Sequence, residues 1–411
     1  MTKGRFQFVI VWLMLMAVAQ GISAQSKIAD PPRVFLIDAH RLDDIKRRIQ
    51  AKDRSFDAAI LAFENNARKA LSVGTYSVVT KSVTPPSGDK HDYMSQAPYF
   101  WPDPNKKDGL PYIRRDGERN PEINKISDHK SMDDMVASVE NLALAYYFRG
   151  DEKYAAKAVE LLRAWFLDPT TKMNPNLQFG QGIPGITTGR GIGLIETRGL
   201  TRVVDSIGLL DGSNALKASD KRGIEDWFAK FLAWMQDSKN GRDENAAKNN
   251  HGTYYDVQAA AFALFLGKKE LAKQILEISK TKRIALQIEP DGRQPLELAR
   301  TKAWSYSVGN LDGLMQLATL GENVGVDLWN YQTSDGRGIR RALEFLYPFA
   351  VSDKWKLQSQ YQQLGEWPPQ MLFPLLRRAA LHYKDEKFKT MLARIPSAEA
   401  SGKENLFYAK F

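Results

Sequence analysis

The sequence predicts an all-α protein built as an (α/α)n toroid, a ring of roughly six to seven antiparallel helix pairs around a central cleft. Apolar residues recur at helical spacing through most of the chain, strand-like alternation is scarce, and several connections are short enough to force an antiparallel return. No strict repeat period marks the pairs, so closure of the ring is an expectation from packing alone.

Lys3 and Arg5 precede an apolar run from Phe6 to Ala19, and Gly21-Ile22-Ser23-Ala24 supplies small residues before Gln25. That pattern is a secretory signal peptide over residues 1–24, because the apolar run is shorter than the ~20 residues of a membrane span. It predicts a periplasmic or secreted protein that leaves the membrane after cleavage, with residues 25–411 as a single toroid domain. Helical periodicity then covers 41–72, 131–149, 152–167, 194–210, 221–238, 251–266, 269–283, 294–320, 336–351 and 367–384. Ser131 and Asp134 read as an N-terminal cap, and Met135, Val139, Leu142 and Tyr146 share one face behind it. Gly150-Asp151 turns the chain into the next helix. Two long connections, 73–130 and the glycine-rich 168–193, break the pattern, and connections of that length are commonly functional. No Gly-Lys-Ser/Thr follows the glycines, so a wall over a cleft is expected rather than a phosphate cradle. Arg190 and Arg198 near its end are candidate carboxylate contacts.

The absence of cysteine excludes disulfides, thiolate nucleophiles and Cys-based zinc sites. His40, His91, His129, His251 and His382 include no pair at zinc-ligand spacing, so neither a metal nor another cofactor is expected. A net charge of +10, still strongly positive without Lys3 and Arg5, favours an anionic partner. There is no Lys/Arg block and no nucleic-acid module, so an acidic polysaccharide fits both charge and compartment. A monomer is expected.

Two polar clusters carry candidate chemistry. In Lys248-Asn249-Asn250-His251-Gly252-Thr253-Tyr254-Tyr255, amides and phenols surround a histidine at the mouth of a helix. In the second, Glu297 to Asn310, a continuous helix would bring Arg300, Tyr306 and Asn310 within about 60° of one side. Together they match the needs of elimination at a uronic acid. The C5 proton is weakly acidic until donors neutralise the carboxylate and stabilise the enolate-like intermediate. A base must then lie near C5 and an acid near the departing O4, roles open to His and Tyr.

Asn249-Asn250-His251 with the aromatic pair that follows, then Arg300 and Tyr306, resembles the active-site signature of the alginate-lyase superfamily. The stretch His91-Asp92-Tyr93-Met94-Ser95-Gln96-Ala97-Pro98-Tyr99-Phe100-Trp101-Pro102-Asp103-Pro104 resembles its N-terminal signature. The resemblance runs from about Asp92 to Tyr383 and is closer to polysaccharide lyase family 38 than to family 5. It implies an α/α toroid that cleaves 1,4-linked uronans, alginate or glucuronan, by β-elimination and leaves 4,5-unsaturated ends. Asn250 and His251 would engage the carboxylate and C5, Arg300 would support charge, and Tyr306 would transfer the proton. Asn249, Tyr93, Tyr99, Trp101, Tyr254, Tyr255 and Asn310 would line sugar subsites. Arg300 precedes Tyr306 by six residues where the family 5 pattern has seven, which leaves Lys302 as the other cation.

Two alternatives stay open. Glu140, Glu196 and Glu297 could serve a glycoside hydrolase, although no sequence context marks any of them as an acid of raised pKa. A non-catalytic uronate-binding protein would need the same subsites but no proton-transfer group.

Overall fold

Asp38 starts helix α1 (Ala39–Gln50) by accepting the Arg41 N–H. Lys52 then takes a left-handed conformation and Asp53 caps a short 3-10 turn, so that α2 (Asp57–Leu71) is a separate helix. The single helix expected over 41–72 is therefore two, broken where a positive φ ends the hydrogen-bond ladder. The structure, a computed structural model, describes residues 31–351, 361–395 and Phe407. The expected signal peptide lies outside these residues. Residues 32–411 cluster as one unit.

Helix α3 (Asp128–Arg149) begins three residues before Ser131, so the expected Ser131 cap falls inside the helix, where Asp134 instead pairs with Lys130 at 2.6 Å. Gly150, at φ 70, closes α3 in the left-handed conformation that costs glycine least. Asp151 accepts the Lys153 N–H and opens α4 (Glu152–Phe166). The expected antiparallel pair is thus made by one αL residue followed by one cap.

A 3-10 turn at Gly191–Gly199 leads into α5 (Leu200–Leu209), followed by α6 (Ala218–Asp237), α7 (Lys239–Asn245), α8 (Asn250–Phe265) and α9 (Lys269–Ser279). Next come α10 (Pro295–Leu298), α11 (Ala303–Glu322), α12 (Ile339–Val351), α13 (Phe373–Tyr383) and α14 (Glu386–Arg394). Helices α7 and α14 were not expected, being short and mostly polar. Helices α3, α5, α8, α11 and α13 pack side by side as an inner layer, while α2, α4, α6, α9 and α12 back them from outside. Arg202 of α5 reaches Glu140 of α3, Tyr254 of α8 reaches Gly309 of α11, and Arg378 of α13 reaches Asp312 of α11. Residues 33–35 meet the C-terminal ends of α5, α8 and α11, through Gly208, the Leu264 and Phe265 carbonyls and Asn323, so these inner helices run parallel with their N-termini at one rim. They enclose a cavity of about 570 Å³ lined by Glu140, Arg202, Tyr254, Asp312 and Arg378. Helix α8 is buried along nearly its whole length because neighbours cover every side, which is why its sequence shows no polar face. No helix among the described residues is long and apolar enough to cross a membrane.

The long connections cover that rim. Strand β1 (Met94–Gln96) pairs in parallel with β4 (Phe179–Gly182), and β2 (Phe100–Trp101) pairs antiparallel with β3 (Ile113–Arg114). The glycines of the second connection serve close packing: a Cβ on Gly189 would lie 2.0 Å from the Gln178 carbonyl oxygen.

A buried ion pair braces the segment entering α8. Arg283, 1% exposed, donates to Asp256 at 2.7 and 3.0 Å and to the carbonyls of Ala247 and Asn245 at 2.7 and 2.9 Å. Arg283→Ala strands the Asp256 charge and should destabilise the fold by about 3–5 kcal/mol, read as a shift of the denaturation midpoint. A loss below about 1 kcal/mol would mean that Asp256 is not held as an ion.

Candidate active site

Helix α8 starts at the rim with Asn250, whose backbone N–H donates to Glu297 Oε1 at 2.6 Å, while Gln287 Nε2 donates to the Asn249 carbonyl at 3.3 Å. The Asn250 Oδ1 is buried and makes no hydrogen bond among the described residues. His251, one residue on, sits against α7: its Nδ1 is 2.8 Å from Oε1 of Glu244, which is 1% exposed. A carboxylate only accepts, so Nδ1 carries the proton, and in the neutral ring the lone pair is on Nε2.

The opposite wall comes from α11. The Tyr306 hydroxyl donates to the Tyr99 hydroxyl at 2.7 Å, and the Arg300 guanidinium carbon lies 3.9 Å from the centre of the Tyr306 ring. Stacking of that kind contributes about 0.5–2 kcal/mol. Burial and then the Tyr99 hydrogen bond push the Tyr306 phenol far up, against the opposing Arg300 charge, so it stays protonated at neutral pH. Tyr254, three residues after His251, donates to the carbonyl of Gly309, three residues after Tyr306. His251 and Tyr306 therefore stand at one level on neighbouring parallel helices.

Arg300 is not on α11. The helix expected over 294–320 breaks between α10 and α11, where residues 301–303 instead bond the backbone of 362–364. The common helical side proposed for Arg300, Tyr306 and Asn310 does not exist. The loop after β3 takes over: Asp116 accepts from Arg300 at 3.1 and 2.8 Å and from the backbone and hydroxyl of Thr301 at 3.2 and 3.0 Å. Burial alone would raise Asp116, yet the Arg300 and Thr301 bonds hold its carboxyl well below the usual range.

Other expected subsite residues lie in the core. Tyr93 is fully buried and donates to Glu196 at 2.7 Å, Tyr255 is 4% exposed and donates to the Met235 carbonyl, and Asn310 donates to Gln287 and Gln294, both at 2.8 Å. As an alternating residue beside β1, as an inward position of a helix packed all round, and as a polar plug between helices, these three cannot meet a sugar. Tyr254 reaches Asp312 at 3.2 Å inside the central cavity, where the Arg198 guanidinium lies 5.7 Å from its ring. Arg198 pairs with neither Glu196 nor Asp205. Tyr99, Trp101, Asn249 and Arg190 are partly exposed at the rim. Trp101 donates to the Glu118 carbonyl and stacks with Arg115, and Arg190 lies 5.1 Å from the centre of the Phe100 ring.

Glu297 corrects another expectation. It is 1% exposed, and burial pushes its carboxyl up to about 7 despite the Asn250 N–H bond. It takes up a proton on folding, so its stabilising contribution is full below about 4.5 and is lost as pH rises through about 7. Asp205, also raised by burial to about 7, adds to the same window. Glu297→Gln, which keeps the acceptor for Asn250, should flatten the fall in melting temperature between about pH 4.5 and 7. An unchanged profile would place the Glu297 titration elsewhere.

Asp116 and Glu244 have no signal in the sequence, and Glu297, a candidate hydrolase carboxylate there, instead holds the Asn250 backbone. Asp116 reaches Arg300 across 184 positions, and no spacing rule reports such a contact. Glu244 lies seven residues before His251 and was hidden because α7 had not been recognised as a helix.

The alginate lyase family profile matches residues 77–356. Among solved structures, an alginate lyase from Bacteroides ovatus superposes with TM-score 0.89 and 41% identity, covering 92% of this chain and 100% of its own. Alginate lyase A1-III from Sphingomonas species A1 gives TM-score 0.60 at 15% identity over 93% of this chain and 97% of its own, a likeness of fold. A histidine-to-alanine variant of A1-III, solved with a tetrasaccharide, gives TM-score 0.60 at 15% identity over 94% and 98%. No curated protein sequence matches the chain. The expected α/α toroid is the fold of these structures. With the family profile spanning most of the chain and a relative 41% identical over nearly all of it, the chain belongs to the alginate lyase family and is a polysaccharide lyase.

Proposed function

We propose that the lyase cleaves 1,4-linked uronans, alginate first among them, by β-elimination at the rim where α8 and α11 begin. The observation that carries this reading is that His251, oriented by Glu244, and a protonated Tyr306 stand at the same height on neighbouring helices. His251 Nε2 takes the C5 proton, the C5 electrons form the C4–C5 double bond, and the C4–O4 bond breaks as Tyr306 gives its proton to O4. Asn250 supports the carboxylate from the first turn of α8, where the helix dipole also favours negative charge. The carboxylates a hydrolase would need are engaged elsewhere: Glu140 with Arg202, Glu196 with Tyr93 and Ser95, and Glu297 with the Asn250 backbone. Residues 1–24 support export, which places the enzyme where it meets polysaccharide.

Purified protein should raise ultraviolet absorbance with polymannuronate, polyguluronate or glucuronan, because elimination conjugates a new double bond with the carboxylate. A flat trace on every uronan, with reducing ends still released, would replace elimination by hydrolysis.

A further inference from the structure

Two arginines of the active-site rim, Arg300 and Arg190, differ in their surroundings. Arg300 is paired: its Nε and Nη2 donate to Asp116 and its face covers Tyr306. Arg190 has no carboxylate within ion-pair distance among the described residues. Its Nη2 donates to Gln181 Oε1 at 2.9 Å, its face lies on Phe100, and its Nε is buried with no hydrogen-bond partner. A guanidinium offers five donors in a planar fork suited to a carboxylate. A cation left in this state points to an anion that arrives from outside.

The scaffold around Arg190 is built to hold it. Gln181 adopts φ 51, a left-handed conformation that residues with a side chain rarely take, yet it is 6% exposed and its N–H is tied to Ser95 Oγ at 2.7 Å. That backbone serves to place an amide oxygen beside Arg190. Arg190 also lies between the two halves of the site. Phe100, under its face, follows Tyr99, the partner of Tyr306. Gly191, next in sequence, packs so closely on α7 that an added Cβ would lie 3.1 Å from the backbone nitrogen of Glu244, the partner of His251.

We propose that Arg190, acting together with Asn250, supplies the cation that binds the substrate's sugar carboxylate and so selects acidic polymers, with Gln181 as its positioning residue. Arg300 acts on Tyr306 instead of on the substrate. The inference rests on the uronan-lyase reading for the identity of the anion.

The test is calorimetric binding of a uronate tetrasaccharide and of its carboxyl-reduced, neutral counterpart to the Tyr306→Phe protein, with and without changes at Arg190. The acidic ligand should bind at least about 30-fold tighter than the neutral one, and Arg190→Gln should bring that ratio within about threefold. Arg190→Lys, which keeps the charge and loses the fork, should give an intermediate ratio and guards against misfolding of the glutamine variant. An Arg190→Gln protein that still discriminates, a parent that does not, or a ratio that collapses with Arg300→Gln instead overturns the proposal. In the otherwise unaltered enzyme, Gln181→Gly should raise KM about fivefold or more with kcat within about twofold and no loss of melting temperature. A fall in kcat at constant KM would overturn the positioning role. Turnover is absent from the binding ratio, so failure of the parent to cleave any uronan would remove the elimination reading while the ratio still decides Arg190.

Discussion

Tyr306→Phe is expected to lower kcat on any cleaved uronan by about 10³-fold while leaving oligosaccharide affinity within about tenfold. The substitution removes one oxygen. The ring stays beneath Arg300, and Asp116 still anchors that arginine. The lost hydrogen bond to Tyr99 is worth about 1 kcal/mol, too little to unfold the chain. What disappears is the proton for O4, so the leaving alkoxide departs unassisted. Initial rates of ultraviolet absorbance against substrate concentration separate kcat from KM. Full activity in this variant would remove Tyr306 from the mechanism, and a large rise in KM alone would make it a binding residue.

His251→Ala should cost about 10³-fold in kcat/KM on polyguluronate and clearly less on polymannuronate. In guluronate the C5 hydrogen and O4 lie on opposite faces of the ring, so separate groups must act. In mannuronate they share a face, and a residue on the Tyr306 side can reach both. Glu244 fixes His251 with its Nδ1 proton turned into α7, which leaves Nε2 as the acceptor for the proton at C5. Parallel rate measurements on the two block polymers decide the point. A larger loss on polymannuronate would reverse the assignment of base and acid.

Those two residues were legible in the sequence because each sits in a local cluster whose residue types suit one reaction. His251 lies among amides and phenols at a helix start, and Tyr306 lies in a polar stretch leading into an apolar helix. Their supports were not legible. Asp116 lies in a connection that had no predicted structure, and Gln181 looked like one more residue of a glycine-rich loop until its backbone conformation was seen. Residues read as sugar contacts failed for a related reason. Tyr93, Tyr255 and Asn310 have the chemistry of a subsite, but a polar side chain can equally close a buried network, and composition cannot tell the two apart. Arg300 was assigned to a helical face by periodicity, and a break of a few residues before Ala303 sufficed to move it.

By itself the sequence determined the helical class and the antiparallel pairing at Gly150-Asp151 and singled out His251 and Tyr306, the proton-transfer pair we propose, because periodicity, caps and local residue chemistry act over a few positions. The tertiary structure alone decided that the inner helices run parallel and bring His251 level with Tyr306. It also decided that Asp116 pairs with Arg300 while Arg190 has no carboxylate partner among the described residues. Those outcomes depend on which distant segments fill the space around a charge, and a buried charge is governed by its neighbours in space.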